Sequence, residues 1–585
     1  MKNEKLENLR HSAAHLLAAA VMKLWPDTKH AIGPVIDDGF YYDFELAKPL
    51  SEADLPKIEE TMKEIVKSWK GFERHEVSAD EARTEYKGNP YKRELIDEFA
   101  GEGQKLTIYQ SGEFRDLCRG GHCPHPNNDL KHFKLMSLAG AYWRGNEKNT
   151  MLTRIYGTAF PTKKDLDEYL TMREEAKKRD HRKLGQELEL FTFSDLVGKG
   201  LPLWLPKGTI IRNEIEKLAI EMEDKFEYLR VSTPHVAKEE LYLTSGHLPY
   251  YKNSMYPPMV MDDGTYYLKS MNCPHHHIIY LDKPRSYRDL PLRLAEYGTV
   301  YRNELSGTLA GLLRVRMLSM NDAHIYCTAD QVEQEVTRVI ELTAYYYQLF
   351  GLKDYWFRLS LWSPEHKEKY IDEPENWKHA QDVMRKILKK LNLPFEEAED
   401  EAAFYGPKLD VQFKSVIGRE ESLSTIQLDF LAKSRFKLSY IDAHGKENGQ
   451  VFVIHRAPLS VHERFMAFVI EHYAGAFPAW LAPIQVRIAA VGKDHQAYCH
   501  ELAVLLKTMH IRADVDDDNE TVGNKIRKAS NEKIPYTLVV GDKELQSAKL
   551  AVRIRGEQKV VEIDKGKFVE NLKKKIKSRS SDLLF

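Results

Sequence analysis

The sequence is poor in cysteine and has no long apolar run. Five cysteines in 585 residues form an odd, sparse set, which excludes a disulfide framework and favours reduced thiols. No stretch approaches the roughly 18 uninterrupted apolar residues of a membrane span, and no apolar signal core precedes the first predicted helix. We therefore expect a cytoplasmic protein with no membrane partner.

The chain also lacks a large excess of either charge. Its 86 Lys and Arg residues nearly balance its 88 Asp and Glu residues, which gives a formal net charge of −2. No global basic field attracts nucleic acid, although a local basic face on a large enzyme can still bind it. The charge balance therefore says little against a nucleic-acid partner.

The length predicts several domains, since 585 residues at roughly 150 per domain give three or four. Residues 1–160 mix helical and strand patterns. Residues 161–186 are mostly charged, which predicts a solvated connector helix. Residues 187–481 hold apolar strands with short turns, typical of a largely antiparallel sheet flanked by helices. Residues 482–585 alternate strand and helix, which predicts a small α/β domain with parallel strands.

Two short-range pairs in the first of these regions carry metal-binding or acid–base side chains. His11 and His15 are four residues apart on a predicted helix, so both point to one face. Cys118 and His122 form a second pair. Two such pairs facing each other could bind Zn²⁺, or could hold a substrate without a metal. The competing interpretation is two unrelated pairs in a core.

Arginines recur on successive predicted elements of the third region. Arg302 and Glu304 alternate to one face of a predicted strand, and Arg314 and Arg316 do so on the next. Arg464 opens a predicted helix after a strand. Arginines across an antiparallel pair could clamp a triphosphate or a carboxylate by bidentate contacts. The competing interpretation is solvated strand faces.

The same region contains a dispersed cysteine and histidine set. Cys273, His324 and His455 each lie in a strand-like or strand-edge setting of the proposed sheet. One cysteine and two histidines leave Zn²⁺ an open position for substrate, but spacing alone cannot establish such a long-range set. Three consecutive histidines, at 275–277, follow the cysteine and cannot all point the same way.

Taken together, these stretches resemble the threonyl-tRNA synthetase family of class II aminoacyl-tRNA synthetases. The resemblance covers essentially the whole chain and rests on stretches such as "HSAAHLL", "DLCRGGH", "YRNELSG", "DAHIYC", "AFYGPKLD", "TIQLDF", "IHRA" and "VGDKE". It implies an α+β multidomain fold. Residues 1–160 would be an editing domain, 161–186 a linker helix, 187–481 a class II catalytic domain and 482–585 an α/β anticodon-binding domain. An N-terminal ubiquitin-like domain found in many bacterial members is expected to be absent.

The resemblance also implies a substrate and a metal. Cys273, His324 and His455 match the ligands of one Zn²⁺ per subunit, which in the family binds the amino and hydroxyl groups of threonine. Valine has no hydroxyl to offer such a site, whereas serine differs by one methyl group, worth only about 1–3 kcal/mol. Serine is therefore misactivated and a second, hydrolytic site is needed. That editing pocket, usually metal-free in the family, matches His11, His15, Tyr42, Lys92, Asp116, Cys118 and His122.

Further roles follow from the same resemblance. The set that binds ATP with Mg²⁺ and activates threonine matches Arg302, Glu304, Arg314 and Arg464. The cleft around the substrate matches Asp322, Tyr405, Lys408, Gln427 and Leu318. Anticodon contacts match Asn519, Glu544 and Arg553. The implied partners are tRNA(Thr), ATP and L-threonine, and the implied assembly is a homodimer.

Several positions around the activation site depart from the family pattern. The altered residues are Met317, Leu318, Met320, Ser460, Val461 and His275. Leu318 replaces an expected phenylalanine and offers no π face to adenine, and the β-branched Val461 could crowd the ATP pocket. Two hypotheses follow: an active threonine–tRNA ligase with a remodelled pocket, or a paralogue that only edits or binds RNA. An inhibitor-resistant duplicate is compatible with the first.

Overall fold

A computed structural model describes residues 4–366, 369–415 and 420–585. The chain divides into two units, Met1–Glu174 and Glu175–Phe585. All five cysteines are free, as their sparse distribution predicts. Within the described residues, no helix combines the length and the apolar character that a bilayer crossing requires.

The first unit contains short helices and two small sheets. Its helices are α1 Glu4–Leu24, α2 Leu55–Ile65, α3 Ala79–Glu85, α4 Pro90–Gly101, α5 Pro126–Asp129 and the start of α6 Lys163–Arg179. Its strands are β1 Lys29–His30, β2 Val35–Ile36, β3 Gly39–Glu45, β4 Glu73–Val77, β5 Leu106–Ser111, β6 Phe114–Leu117, β7 Phe133–Tyr142 and β8 Met151–Ala159.

Helix α1 packs on the larger sheet of the first unit and so fixes the position of its own polar side chains. The strand order in that sheet is β1-β3-β8-β7, with β2 paired to β3, and a second sheet has the order β4-β5-β6. Leucine and alanine side chains along α1 are fully buried against β3, β8 and α2. Burial of this apolar face holds the helix rigidly.

The predicted single connector helix is in fact two helices. Helix α6 ends at Arg179, and helix α7, His181–Glu187, begins after one intervening residue. Asp180 separates them, because its side chain accepts the amide hydrogen of Arg182 and caps α7. Helix α6 buries only Leu166, so the solvated character is confirmed there, whereas α7 buries His181 and Leu184.

The second unit holds the remaining elements. Its further helices are α8 Pro206–Lys225, α9 Glu239–Ser245, α10 His247–Tyr250, α11 Cys273–Leu281, α12 Val332–Phe350, α13 Pro374–Lys390, α14 Ala432–Arg435, α15 His462–His472, α16 Lys493–Thr508, α17 Val522–Asn531, α18 Asp542–Gln546 and α19 Lys565–Lys577. Its first strands are β9 Phe191–Thr192, β10 Leu203–Trp204, β11 Leu229–Arg230, β12 Val236–Lys238, β13 Met259–Met261, β14 Gly264–Leu268, β15 Leu292–Tyr301, β16 Met317–Cys327, β17 Tyr355–Ser360 and β18 Phe395–Ala398. Its later strands are β19 Lys408–Lys414, β20 Glu420–Asp429, β21 Tyr440–Ile441, β22 Glu447–Asn448, β23 Phe452–Ala457, β24 Val486–Ala490, β25 Ala513–Asp516, β26 Tyr536–Val540, β27 Lys549–Ile554 and β28 Val560–Asp564.

An eight-stranded sheet dominates the second unit and confirms the predicted antiparallel core. Its order is β11-β15-β16-β23-β20-β19-β17-β18. Only the pairs β11–β15 and β17–β18 at the two edges are parallel. Helices α8, α12, α13 and α15 supply most of the apolar side chains that pack with it. The central strands β16, β23 and β20 are therefore held by their strand neighbours and by this apolar layer.

The sheet near the carboxyl end of the chain is mixed, so the prediction of parallel strands is only partly correct. Its order is β25-β24-β26-β27-β28. Strands β25, β24 and β26 are parallel and connected through helices, whereas β27 and β28 run antiparallel. The segments after β26 are joined by short connections, which permit only antiparallel neighbours.

Candidate active sites

Four acid–base side chains meet in the first unit. His11 and His15 lie on α1, and the loop after β6 brings Cys118 and His122 to them. The Cys118 Sγ atom lies 3.4 Å from Nε2 of both His11 and His122, and the Nε2 atoms of His15 and His11 are 3.3 Å apart. The structure thus joins the two predicted pairs, with a spacing that suits a bound substrate or a metal ion.

Asp116, on β6, is the buried anion of this cluster. Its carboxylate lies 2.5 Å from Nζ of Lys92 and 3.3 Å from Nε2 of His30, and it accepts a hydrogen bond from the Tyr42 hydroxyl. Burial alone would raise the pKa of Asp116, but Lys92 and His30 hold this pKa far below its ordinary value. Asp116 is therefore an ionised carboxylate that fixes one lysine and one tyrosine.

A cavity of about 340 Å³ opens onto these groups and is lined by His11, His15, Tyr42, Lys92, Asp116 and Cys118. Burial lowers the pKa of His122 to about 3 and raises the pKa of Cys118 to about 12. Both groups are therefore neutral at physiological pH. Neutral imidazoles can accept a proton from water or a hydroxyl group, which hydrolysis requires.

His30 is a member of this site that the sequence predictions missed. It lies on the two-residue strand β1, opposite Phe44, and is 4% exposed. No local motif surrounds it in the sequence. Strand β1 pairs with β3, whereas Asp116 lies on β6 of the other sheet, so tertiary packing brings the His30 ring to Asp116.

Two histidines and a cysteine meet on the large sheet of the second unit. His324 on β16 and His455 on β23 are direct partners across the antiparallel pair, with Nε2 and Nδ1 3.0 Å apart. Cys273 completes a buried set whose ligand atoms lie within 4.8 Å of one another. The prediction of a strand setting for Cys273 is wrong. Cys273 begins helix α11, where Pro274 favours a helix start.

The outer nitrogens of both histidines have partners as well. Nδ1 of His324 lies 2.8 Å from Nδ1 of His276, whose Nε2 lies 3.1 Å from the Glu296 carboxylate. Nε2 of His455 lies 3.1 Å from the Asp429 carboxylate. Partners of this kind orient metal-binding imidazoles. One thiol and two imidazoles are donors that Zn²⁺ prefers, so the residues fit zinc with room for a substrate ligand.

The three consecutive histidines of α11 face three different surroundings, as predicted. His276 contacts His324, and the ring of His277 lies 2.9 Å from the Tyr326 hydroxyl. His275 is 7% exposed, and neither of its ring nitrogens has a hydrogen-bond partner among the described residues.

His247 is a second residue that the sequence predictions missed. It begins the short helix α10, and its Nε2 lies 4.0 Å from Sγ of Cys273 while its Nδ1 lies 2.8 Å from the Ser245 hydroxyl. Burial lowers the pKa of His247 to about 3, so the ring is neutral. A histidine outside any motif, 26 residues before the cysteine, gives no sequence signal.

The predicted cleft residues lie around this set. The Tyr405 ring stacks on His455 with centroids 4.9 Å apart, and its hydroxyl donates to Gln427. Gln427 pairs with His455 on one side and with Lys408 on the other. Asp322 precedes His324 by two residues and so points to the same face of β16. Its carboxylate accepts a hydrogen bond of 3.0 Å from Asn272.

The predicted strand positions of the arginines are wrong. Strand β15 ends at Tyr301 and β16 begins at Met317, so Arg302, Glu304 and Arg314 lie in the loop between them. One further backbone hydrogen bond joins the two chain segments beyond the strands, from the amide of residue 302 to the carbonyl of residue 316. Within the loop, Arg314 forms an ion pair of 2.9 Å with Glu304.

Three arginines nevertheless converge beside the sheet. Arg464 lies near the start of α15, and its Nε donates to the carbonyl of Leu313 at 3.3 Å. Burial lowers the pKa of Arg464, and the nearby charges of Arg302 and Arg314 lower this pKa further. Three guanidinium groups this close repel one another, and a bound anion relieves that repulsion. The cluster therefore favours the predicted phosphate site.

The altered positions are packed rather than open. Leu318 and Val461 are buried in one apolar cluster with Val300 and Val315, and Met320 packs at its edge. Ser460 has the left-handed φ of 56° at the turn before α15. The cluster provides apolar volume at the position where the family pattern has an aromatic ring.

The predicted anticodon residues lie on three separate elements. Asn519 lines an open cavity of about 690 Å³ with Thr521, Asn524 and Arg527. Glu544 accepts the amide hydrogen of residue 541 as the cap of α18, and Arg553 lies on β27. Neither of these two residues lines the cavity. The structure therefore groups Asn519 with a different set of polar residues from the predicted one.

Curated relatives match almost the entire chain. The threonine–tRNA ligase of Anoxybacillus flavithermus is 51% identical over 98% of this chain and 89% of its own length. That of Staphylococcus carnosus is 51% identical over 97% of this chain and 88% of its own. The chain belongs to the threonine–tRNA ligase family.

Domain and structural matches agree with threonine–tRNA ligase. Residues 258–473 match the class II core domain of tRNA synthetases (G, H, P, S and T), 485–575 the anticodon binding domain, and 106–156 the threonyl and alanyl tRNA synthetase second additional domain. The RNA binding domain of threonyl-tRNA synthetase from Cryptosporidium parvum is 32% identical, with TM-score 0.65, over 69% of this chain and 99% of that chain. These matches confirm the predicted fold class.

Proposed function

We propose that the second unit activates threonine with ATP and transfers it to tRNA(Thr), and that the first unit hydrolyses mischarged Ser-tRNA(Thr). The observation that carries this proposal is the buried set of Cys273, His324 and His455. His324 lies on β16, and the loop that carries Arg302 and Arg314 leads into the start of that strand. An amino-acid site and a phosphate site on one sheet are what adenylate formation requires.

Phosphate binding is the task of the three arginines. Arg302, Arg314 and Arg464 would hold ATP with Mg²⁺, and Glu304 would fix Arg314 through their ion pair. As the threonine carboxylate attacks the α-phosphorus and pyrophosphate leaves, negative charge builds on the phosphate oxygens. Preorganised guanidinium groups stabilise that charge.

Threonine binding uses the cysteine and histidine set of the same unit. Cys273, His324 and His455 would hold one Zn²⁺, which supplies a Lewis acid for the amino and hydroxyl groups of threonine. Tyr405 and Asp322 border this position and would orient the amino acid. Because valine lacks the hydroxyl, it loses a polar partner in a buried site, which is a stronger penalty than one missing methyl group.

Serine must be removed elsewhere, and the first unit has the required groups. His11, His122 and Cys118 are close together and neutral, and Lys92 is held by the ionised Asp116. One imidazole would accept a proton from the attacking water while Lys92 would orient the seryl group. This division supports the predicted editing role of residues 1–160.

The remaining assignments extend the same proposal. Residues 161–186 would link the units, 187–481 would form the catalytic domain and 482–585 would bind the anticodon. Asn519, Glu544 and Arg553 would contact anticodon bases or phosphates. The protein would act in the cytoplasm, where tRNA is charged, and as a homodimer.

Two assays on the purified full chain test the proposal. Threonine should support exchange of pyrophosphate into ATP and charging of tRNA(Thr), and Ser-tRNA(Thr) should be hydrolysed. Hydrolysis of Ser-tRNA(Thr) without threonine-dependent exchange would show instead that the protein is a paralogue that only edits or binds RNA.

A further inference from the structure

The arginine loop contains a buried amide that the loop itself does not satisfy. Leu312, which lies in the loop between Glu304 and Arg314 in the sequence, is fully buried. The next amide, of Leu313, donates to the carbonyl of Ala310 within the loop. The amide of Leu312 instead donates to Nε2 of His181, on helix α7, at a distance of 3.1 Å. A buried amide without an acceptor is costly, so this contact favours one position of the loop.

The chemistry of the contact fixes the state of the imidazole. A backbone amide can only donate, so Nε2 of His181 must be the acceptor and its hydrogen must be on Nδ1. Nδ1 lies 2.7 Å from the carboxylate of Glu471, to which it donates. His181 is 2% exposed, so water does not compete for either nitrogen.

Two side chains on one face of α15 hold the loop. Arg464 and Glu471 are seven residues apart on α15 and therefore share a face. Arg464 contacts the carbonyl of Leu313, while Glu471 reaches the amide of Leu312 through His181. The loop segment between the phosphate-binding arginines is thus tied to the helix that carries the third arginine.

The contact between the loop and His181 requires a glycine at position 311. Gly311 has φ +54°, and a Cβ atom there would lie 2.3 Å from Nε2 of His181. Arg179, just before α7, also donates to the carbonyl of His472 at 3.2 Å, which anchors the connector to the end of α15. Any side chain at position 311 would therefore keep the loop from reaching the imidazole.

We propose that His181 is a positioning residue of the activation site: through Leu312 it holds the arginine loop in register with Arg464 on α15. The proposal rests on the proposed role of these arginines in ATP binding. Loss of the contact would leave threonine binding and the first unit intact but would let the loop move. A displacement of about 1 Å in such a loop is enough to weaken phosphate contacts strongly.

The test compares His181→Phe, which keeps a ring but no donor or acceptor, with His181→Gln, which keeps one of each. In pyrophosphate exchange, H181F should raise KM for ATP about tenfold, because the buried Leu312 amide that positions the loop loses its acceptor. KM for threonine and Ser-tRNA(Thr) hydrolysis should not change, and H181Q should remain within about threefold of the wild type. An unchanged KM for ATP in a folded H181F protein would overturn the proposal.

A second variant and a second readout separate this inference from the proposed function. Gly311→Ala should give the same rise in KM for ATP while the connector keeps its own sequence, because the added Cβ pushes the loop away from His181. Hydrogen–deuterium exchange of the unliganded full chain should lose protection at the Leu312 amide in H181F and G311A but not in H181Q. Lack of exchange activity in the wild type would overturn the proposed function alone. Equal protection of Leu312 in all four proteins would overturn the role of His181.

Discussion

His324 and His455 face each other in register on neighbouring antiparallel strands, with Nε2 and Nδ1 3.0 Å apart. Their outer nitrogens are taken by His276 and Asp429. Because successive strand residues point to opposite faces, a slip of one residue would turn either histidine away. The ladder between β16 and β23 therefore decides whether the two imidazoles meet.

The first prediction concerns zinc content. Cys273→Ser should lower bound zinc from about one equivalent per chain to well below half, because a hydroxyl group is a much poorer ligand than a thiolate. Elemental analysis of the dialysed protein measures this. Cys327→Ser is the matched control, since Cys327 is also buried on β16 but outside the set. Zinc content that survives in C273S, or falls equally in C327S, would show that the ligand assignment is wrong.

The assignment of zinc ligands stays a prediction, whereas their elements can be compared with the structure: His324 and His455 lie on strands as predicted, and Cys273 lies on a helix. A dispersed set can be recognised by its resemblance to a family, yet His324 and His455 meet only through strand register, which no local pattern encodes. The segment of Cys273 was expected on a strand because short apolar runs are ambiguous between strand and helix. Pro274 at the first turn is the signal that favoured a helix.

The second prediction concerns the buried pair in the first unit. Asp116→Asn removes the carboxylate that neutralises Lys92, which is 3% exposed. Leaving a buried charge without its partner costs roughly 3–5 kcal/mol of the free energy of unfolding. Hydrolysis of Ser-tRNA(Thr) should fall at least about 100-fold, because the lysine and the tyrosine lose their anchor, while threonine-dependent exchange is unchanged.

A surface carboxylate of the same unit controls for the change of charge. Asp97→Asn breaks an exposed ion pair with Arg83 and should change stability by less than about 1 kcal/mol. If D116N hydrolysed Ser-tRNA(Thr) as fast as D97N, Asp116 would have no part in editing.

The third prediction concerns pH and Glu463, which is 1% exposed at the start of α15. Burial raises the pKa of Glu463 to about 7. The folded state therefore binds this proton more tightly than the unfolded state, whose glutamate pKa is about 4.3. The contribution of Glu463 to stability is fully present below about pH 4 and is lost as pH rises toward 7.

Glu463→Gln isolates that contribution, since the amide stays neutral. Relative to the wild type, the variant should gain about 3 kcal/mol of unfolding free energy between pH 4 and pH 8, at about 1.4 kcal/mol per pKa unit. Urea titrations of both proteins across this range measure the difference. A difference that does not vary with pH would contradict a protonated Glu463.

The arginine loop and the connector show where prediction from sequence stopped. Alternating charges predicted strand faces for Arg302 and Glu304, but the strand ends before them because the chain turns at its glycines and serine. His181 lies in the stretch "KRDHRKLG", which is similar to the family but suggested no role for it, and only tertiary packing shows the partners of His181 and His30. By contrast, the antiparallel sheet and the solvated part of the connector followed directly from periodicity and charge.

Exchange of pyrophosphate into ATP with threonine, serine and valine in turn tests the central claim most directly. We predict efficient exchange with threonine, exchange with serine reduced by about 10- to 200-fold, and exchange with valine reduced by about 10⁴-fold or more. No exchange with threonine, or equal exchange with threonine and valine, would contradict a hydroxyl-reading activation site built on Cys273, His324 and His455.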